Sequence, residues 1–492
     1  MKRLFICLLA AILLTSCGTT PGTDESTSKT PDTTTPDSSS DSSGESETVP
    51  EETEPSVDDL FKITAEDNNG AKFTILSTET HSYEYDAEEI VGEGVNDAIY
   101  ERNATVEDLL GIDLEFVYKP GDWTAKDQYC DIIRTSVMAQ DGAYDVVNGM
   151  ISCVQPIAEP GLFMSVYDVP GIDLNNPWWV SELQDNLTIN GKLLGFMGDM
   201  SLSMYKGLSV VFANLNLINQ YAMENPYELV LNNQWTLDKM IEVSSGVGKD
   251  LDGDGTITLE NDIFGMVAHG VTYRSMQSSL GLSVIGRDED GDLAVNPITD
   301  NFASAAEKLY SYLSQNDVMF SDDQRDASFA SDNIIYYMYK LECLDSLRDM
   351  ESDYAILPFP KMDENQEKYL TQIATAAHMT YIPVTTNDPT LTGKVCEAMS
   401  YYSYKNVVPA YYDGALKTKY SRDPDTQKML DIIRDGAVMP IDYAYSTVIS
   451  GSPWPNMLLH DASRNGNLAS LHASSQKVWK IGIKVIDKMF KD

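Results

Sequence analysis

A two-lobed α/β protein with mainly parallel sheets, preceded by a disordered tether, is the fold class this sequence predicts. Three observations predict it. Strand-like and helix-like segments alternate from Phe73 to Asn148, which is the rhythm of an open sheet flanked by helices. About 430 residues follow the opening stretch, which is long for one hydrophobic core. Composition changes near Asp59, where Ser, Thr, Pro and acids give way to apolar periodicity.

The first seventeen residues read as an export signal. Lys2 and Arg3 precede a nearly unbroken apolar run from Leu4 to Leu14. That run is shorter than the ~20 apolar residues a membrane span needs, and it fits the core of a secretory signal. It ends in Leu14-Thr15-Ser16-Cys17-Gly18, which resembles the bacterial lipobox. The resemblance implies cleavage before Cys17 and a diacylglycerol, with acyl chains such as palmitate, on its thiol. An ordinary cleaved signal with a chance cysteine is the alternative. Residues 18–60 are Ser, Thr, Pro, Gly and acids with few apolar side chains. They cannot bury enough surface to offset ordering entropy, so a disordered linker is expected, with a reach on the order of 35 Å.

The elements of the folded part follow in order. Phe73 to Thr78 reads as a buried strand. Val95, Ile99, Val106 and Leu110 recur at helical spacing, and Gly111 stops that helix. Ile112, Leu114, Phe116 and Tyr118 alternate as a strand. A helix over Asp127 to Ala139 leads to a strand at Tyr144 to Asn148. Parallel sheets bind ligands beyond the carboxyl ends of their strands, which directs attention to the loops Glu79 to Tyr85 and Asn148 to Ser152. Later come a strand at Leu208 to Ala213 and a helix N-capped by Thr236. A helix carries Phe302, Ala306, Leu309 and Leu313, and a strand spans Tyr354 to Phe359. Helices near 393–404 and 427–434 follow, and a last helix ends at Phe490. Asp288 to Asp292 reads as a hairpin turn.

The chain holds 34 basic and 76 acidic residues, a net charge of −42. That opposes binding of nucleic acid or an anionic surface through charge. After cleavage Cys130, Cys153, Cys343 and Cys396 remain beside Cys17. Their wide spacing contains no CxxC pair, so neither zinc nor a thioredoxin-like centre is signalled. Disulfides and buried free thiols both stay open.

Seven stretches resemble the extracellular solute-binding proteins of family 1, which include the maltodextrin-binding proteins of ABC importers. They are Asn96 to Asn103, Tyr144 to Gly149, Asn176 to Trp179, Ile189 to Leu193, Asn225 to Val230, Trp235 to Met240 and Ile356 to Lys361. The resemblance implies a type II periplasmic-binding-protein-like fold, with a ligand held between two lobes whose closure couples to a permease. It places lobe 1 at 61–198 and 332–383 and lobe 2 at 199–331 and 384–492, with crossings near Gly198 to Tyr205, Asp332 and Pro383. The implied partners are a mono- or oligosaccharide, permease subunits, and the membrane through the lipid. A monomer on the extracellular face of the cell membrane is expected.

Sugar sites combine aromatic platforms with polar and charged hydrogen-bonding groups. His81 and Asn148 lie on loops after first-lobe strands. Tyr205 and Lys206 follow the first crossing, and Tyr273 and Arg274 fall where the second lobe's binding loop is implied. Trp454, in Gly451-Ser452-Pro453-Trp454-Pro455, is the stacking candidate. Trp178, Trp179 and Trp235 sit in segments that more often hold structure. Asp250, Asp252 and Asp254 stand at alternate positions of a calcium-type loop, with Gly255 at its bend and Thr256 following. The loop departs at its end, where Asn261 replaces the bidentate acid and Glu260 or Asp262 is left to close the shell. A structural Ca2+ is the expected cofactor. A secreted glycoside hydrolase is the rival reading, since paired carboxylates hydrolyse glycosides. No segment singles out such a pair, the histidines form no HExxH helix, and GxSxG is absent. A peptide or an anionic saccharide is an alternative ligand.

Overall fold

The computed structural model describes residues 56–416, 424–451 and 457–491. Cys17, the expected signal, the tether up to residue 55 and Trp454 lie outside the described residues.

In chain order the strands are β1 (Ala71–Thr78), β2 (Ile112–Lys119), β3 (Val146–Met150), β4 (Gly195–Phe196), β5 (Ser209–Asn214), β6 (Phe264–His269) and β7 (Ile285–Arg287). Then come β8 (Leu293–Val295), β9 (Val318–Ser321), β10 (Ile334–Lys340), β11 (Tyr354–Pro358), β12 (Thr371–Gln372), β13 (His378–Tyr381) and β14 (Ala437–Val438). They build two five-stranded sheets, ordered β2-β1-β3-β13-β4 and β9-β6-β10-β5-β11, and two two-stranded ones, β12-β14 and β7-β8. In the first, β2, β1 and β3 are parallel, while β13 runs against both β3 and β4. In the second, β9, β6 and β10 are parallel, while β5 runs against both β10 and β11. Each five-stranded sheet thus has four strands in one direction and one reversed strand in the fourth place. The reversed strand is in each case the one that arrives from the other sheet. This is a two-lobed periplasmic-binding-protein fold with mixed, mainly parallel sheets flanked by helices.

Sequence pattern explains the core. Leu76, Val106 and Leu110 are fully buried, each contributing about 1.5–3 kcal/mol relative to exposure. The helix Gly94–Leu110 ends on Gly111 at φ 58°, a left-handed C-cap that glycine adopts without penalty. Thr236 caps the helix Leu237–Ser244 by accepting the Lys239 N–H. The alternating residues of β2 after Ile112 are only half-buried, because β2 is an edge strand covered from one side. Trp178 and Trp235 are completely buried and Trp179 nearly so. The indole N–H of Trp235 donates to the Pro358 carbonyl at 2.9 Å. Asp288 to Asp292 forms the turn between β7 and β8. The four cysteines from Cys130 on are buried free thiols.

Three boundaries differ from expectation. The linker expected to reach residue 60 gives way earlier, because Val57–Leu60 is helical and Phe61 stacks on Tyr401 at 4.0 Å. The return to lobe 1 expected at Asp332 falls after β11, since β10 and β11 both belong to the second sheet. The crossing expected near Pro383 is also later. The helix Pro389–Tyr402 still packs on the first lobe, where Glu397 accepts from Asn176 and Trp179. The helix Pro424–Asp435, which follows, packs on β11 of the second sheet. The reason is common to both: reversed strands are supplied from the opposite lobe, so hydropathy alone does not mark where the chain changes sides.

Candidate functional site

The segments after β1 and β10 meet at the first crossing helix, and the other loops considered follow the parallel strands at the same ends of their sheets. From the first sheet come the turn Glu79–Glu84 after β1, Gly121 to Lys126 after β2 and Ile151–Val154 after β3. The amino end of β13, at His378, lies beside the end of β3 because the two run antiparallel. From the second sheet come Gly270 to Arg274 after β6, Asp322 to Arg325 after β9 and Leu341–Asp345 after β10. The crossing helix Leu202–Lys206 stands between them.

Lys206 joins the two sides. Its ammonium lies 2.9 Å from Asp345 of the second lobe and 5.0 Å from the centre of the Tyr83 ring of the first. Tyr411 offers a second ring face at 5.9 Å. Tyr83 is 39% exposed, and Trp123, after β2, is 43% exposed with Lys126 over its ring. Exposed aromatic faces next to paired charges can take a ligand with apolar faces and a hydroxyl rim. Tyr83 is a candidate that sequence reasoning did not single out, although it lies inside the loop Glu79 to Tyr85 that strand order had marked.

The sequence-predicted residues fare differently. His81 is at this end of the sheet and half-buried, stacked on His378 with ring centroids 3.8 Å apart. Burial lowers its pKa to about 4, keeping the ring neutral. Arg274 is half-buried, near Asp322 and Asp461, and desolvation lowers its pKa. Three others do not reach the ligand side. Asn148 is 1% exposed and accepts from Thr380 at 2.8 Å within the sheet. The Tyr205 hydroxyl donates to Asp199 at 2.7 Å and accepts from Arg434 at 3.0 Å. The Tyr273 hydroxyl donates to Ser463 at 2.9 Å. Their phenols are buried because each anchors one element to another, a role that a sequence cannot separate from ligand stacking.

The acidic loop after Lys249 brings carboxylate oxygens of Asp250, Asp252 and Asp254 within 4.8 Å of one another at the surface. Asp250 accepts from the Gly253 and Gly255 N–H groups, and Asp254 from Thr256. Asp262 turns inward and braces the loop by accepting from the Leu251 and Thr258 N–H groups at 2.7 and 2.8 Å. Those bonds hold its pKa below the usual carboxylate range. Glu260 is exposed, and Asn261 donates to Asp252 at 3.1 Å.

The chain thus has a two-lobed α/β fold, with a candidate site where the crossing helix meets both lobes. Solved structures show the same fold. The maltose/maltodextrin-binding domain from Bdellovibrio bacteriovorus, bound to maltotriose, is 13% identical, with a TM-score of 0.50 over 85% of this chain and 100% of that one. A cyclo/maltodextrin-binding protein complexed with maltotetraose is 14% identical, with a TM-score of 0.53 over 86% and 99%. The galacto-N-biose/lacto-N-biose I-binding protein of an ABC transporter from Bifidobacterium longum, with lacto-N-biose, is 15% identical, with a TM-score of 0.51 over the same shares. The likeness is one of fold. No protein-family model and no curated protein matches the sequence.

Proposed function

We propose that this chain is the capture subunit of an ABC importer, binding a mono- or oligosaccharide between its lobes and passing it to permease subunits. The observation that carries this reading is the Tyr83–Lys206–Asp345 constellation, which joins a ring of one lobe to a carboxylate of the other across the crossing segment. A ligand seated there touches both lobes and so couples binding to their relative position. The ligands of the three similar structures support a carbohydrate. The role is binding, with ATP hydrolysis assigned to partner subunits. The test is a thermal-shift screen of the purified chain against a glycan library, followed by calorimetry and product analysis. A melting shift without turnover is expected. Shifts with peptides alone, or glycan cleavage, would replace this reading.

The same proposal includes the anchor on Cys17, an extracellular membrane face and a monomer. Detergent-phase partition of the full chain expressed in a bacterium, lost in Cys17→Ser, checks the anchor. A structural Ca2+ at Asp250, Asp252 and Asp254 belongs here as well. Three convergent like charges with no Lys or Arg ion pair among the described residues suit a hard cation, and the Asp262 brace keeps the loop curved. Ca2+ would supply cross-linking of the loop and no chemistry. We expect Ca2+ to raise the melting temperature of the chelated protein and Asp252→Asn to abolish that rise; equal melting with and without Ca2+ removes the ion from the account.

A further inference from the structure

At the same end of the first lobe lies a largely buried cluster that includes His81 and that the Tyr83–Lys206–Asp345 constellation does not use. His81-Ser82-Tyr83-Glu84 follows β1 in a turn of 3₁₀ type that is kinked at His81 (φ −119°, ψ 16°). His378 enters from β13. One nitrogen from each histidine and one oxygen from Glu84 all lie within 4.8 Å of one another. His378 Nδ1 is 3.8 Å from Glu84 Oε1.

The carboxylate is what calls for a ligand. Glu84 has no solvent exposure. One oxygen accepts the Ser203 N–H at 2.9 Å, while Oε1 has no hydrogen-bond partner. The nearby buried cation does not serve it, because Arg102 donates to the Glu84 and Tyr85 carbonyls, Asn103 and Ser403. A buried carboxylate oxygen without a partner is costly, and such groups are normally paired or on a metal. Two imidazoles and a carboxylate are a donor set suited to zinc and related ions.

We propose that His81, Glu84 and His378 form a binding site for a divalent transition-metal ion, distinct from the acidic loop. Thr78 Oγ1 lies 3.1 Å from His81 Nδ1 and 3.1 Å from His378 Nε2, and Ser77 Oγ lies 3.4 Å from His378 Nδ1. The Thr78 hydroxyl is an outer partner that sets ring orientation, whereas the Ser77 hydroxyl faces the His378 nitrogen on the Glu84 side and would give way to the ion. His81, the only partly exposed member, is the door. Its ring, now stacked on His378, turns edge-on to admit the ion. Ser203, which holds Glu84, belongs to the crossing helix, so an ion here also touches the segment joining the lobes.

The experiment uses the whole chain, stripped with chelator and then kept in excess Ca2+ so that the acidic loop is saturated. Zn2+ is titrated by calorimetry, and Co2+ by its visible ligand-field absorption. One Zn2+ per chain is expected, with affinity lowered about 100-fold or more in His81→Ala and in Glu84→Gln. The triple variant D250N/D252N/D254N should bind Zn2+ as the parent does. His81→Ala alters a half-buried loop residue and is checked for folding by circular dichroism. Absence of saturable Zn2+ binding overturns the proposal, as does unchanged affinity in His81→Ala or loss confined to the acidic-loop variant. None of these readouts involves a glycan, so the outcome is separate from that of solute capture.

Discussion

Tyr83 and Glu397 show how two side chains can lie at functional or signature segments with opposite duties. Tyr83 is partly exposed, with Lys206 over its ring and His81 stacked on it at 5.8 Å. Tyr83→Ala should therefore weaken glycan binding by about 5- to 30-fold, the worth of an aromatic platform of about 1–2 kcal/mol. The melting temperature of the free protein should hardly move. Calorimetry with the best glycan decides it, and unchanged affinity would take Tyr83 out of the site. Glu397 is instead buried, accepting from Asn176 at 2.7 Å and Trp179 at 2.9 Å. Burial pushes its pKa from 4.5 to about 7, with those donors opposing the rise. Below pH ~4.5 it is protonated in folded and unfolded chains alike. Between ~4.5 and ~7 the unfolded chain releases a proton that the folded chain keeps, so stability falls as pH rises, by on the order of 3 kcal/mol in total. Above that window the penalty is constant. Urea midpoints at pH 5 and pH 7.5 should differ less in Glu397→Gln than in the parent; an identical difference would falsify the assignment.

At the scale of elements, termination is as strongly encoded as periodicity. Gly111 closes the helix Gly94–Leu110, and a Cβ there would sit 2.8 Å from the Asn68 nitrogen and 2.8 Å from Asp67 Cα. Both are backbone atoms and cannot step aside cheaply. Gly111→Ala should cost about 2–4 kcal/mol, combining left-handed strain with overpacking. Gly92 also has positive φ, but its Cβ position meets nothing within 4 Å, so Gly92→Ala should cost only about 1 kcal/mol. Equal losses in denaturant melts would show that packing at Gly111 contributes nothing. This helix, its glycine and the flanking β1 and β2 were legible because their information is local. So were the Thr236 cap and the Asp288 to Asp292 turn. His378 was not, since its partners Thr78 and His81 are about 300 positions away and only the pairing of β13 with β3 brings them together. Nor was the duty of Tyr205 or Tyr273, because burial of an aromatic depends on what packs over it. The same holds for β10 and β11, whose sequences read as strands without naming their sheet.

At the scale of the molecule, an ion pair between buried Asp199 and partly exposed Arg434 ties the crossing segment to the second lobe. Arg434, from the helix Pro424–Asp435, reaches Asp199 at 3.1 and 3.2 Å, the Tyr205 hydroxyl at 3.0 Å and the Pro177 carbonyl. Asp199 is fully buried, and burial raises its pKa to about 6, with Arg434 and Tyr205 holding it from rising further. Near neutral pH the pair is therefore ionised. Desolvation offsets much of its attraction, so the pair itself need add little stability. Removing one member is different, because the other charge is left buried. Arg434→Met should destabilise by about 3–5 kcal/mol, whereas Asp199→Asn combined with Arg434→Met should recover part of that loss. The double-mutant cycle isolates a coupling of about 1–3 kcal/mol. The position of the pair gives the measurement a second reading. Since Arg434 and Pro177 come from opposite lobes, weakening the contact should also change glycan affinity although neither side chain belongs to the Tyr83–Lys206–Asp345 cluster. Calorimetry on the double variant tests this directly. A stability change with unaltered glycan affinity would make the pair a fold-stabilising contact uncoupled from capture, whereas a shift in both would place the mechanical link between the lobes at Asp199 and Arg434.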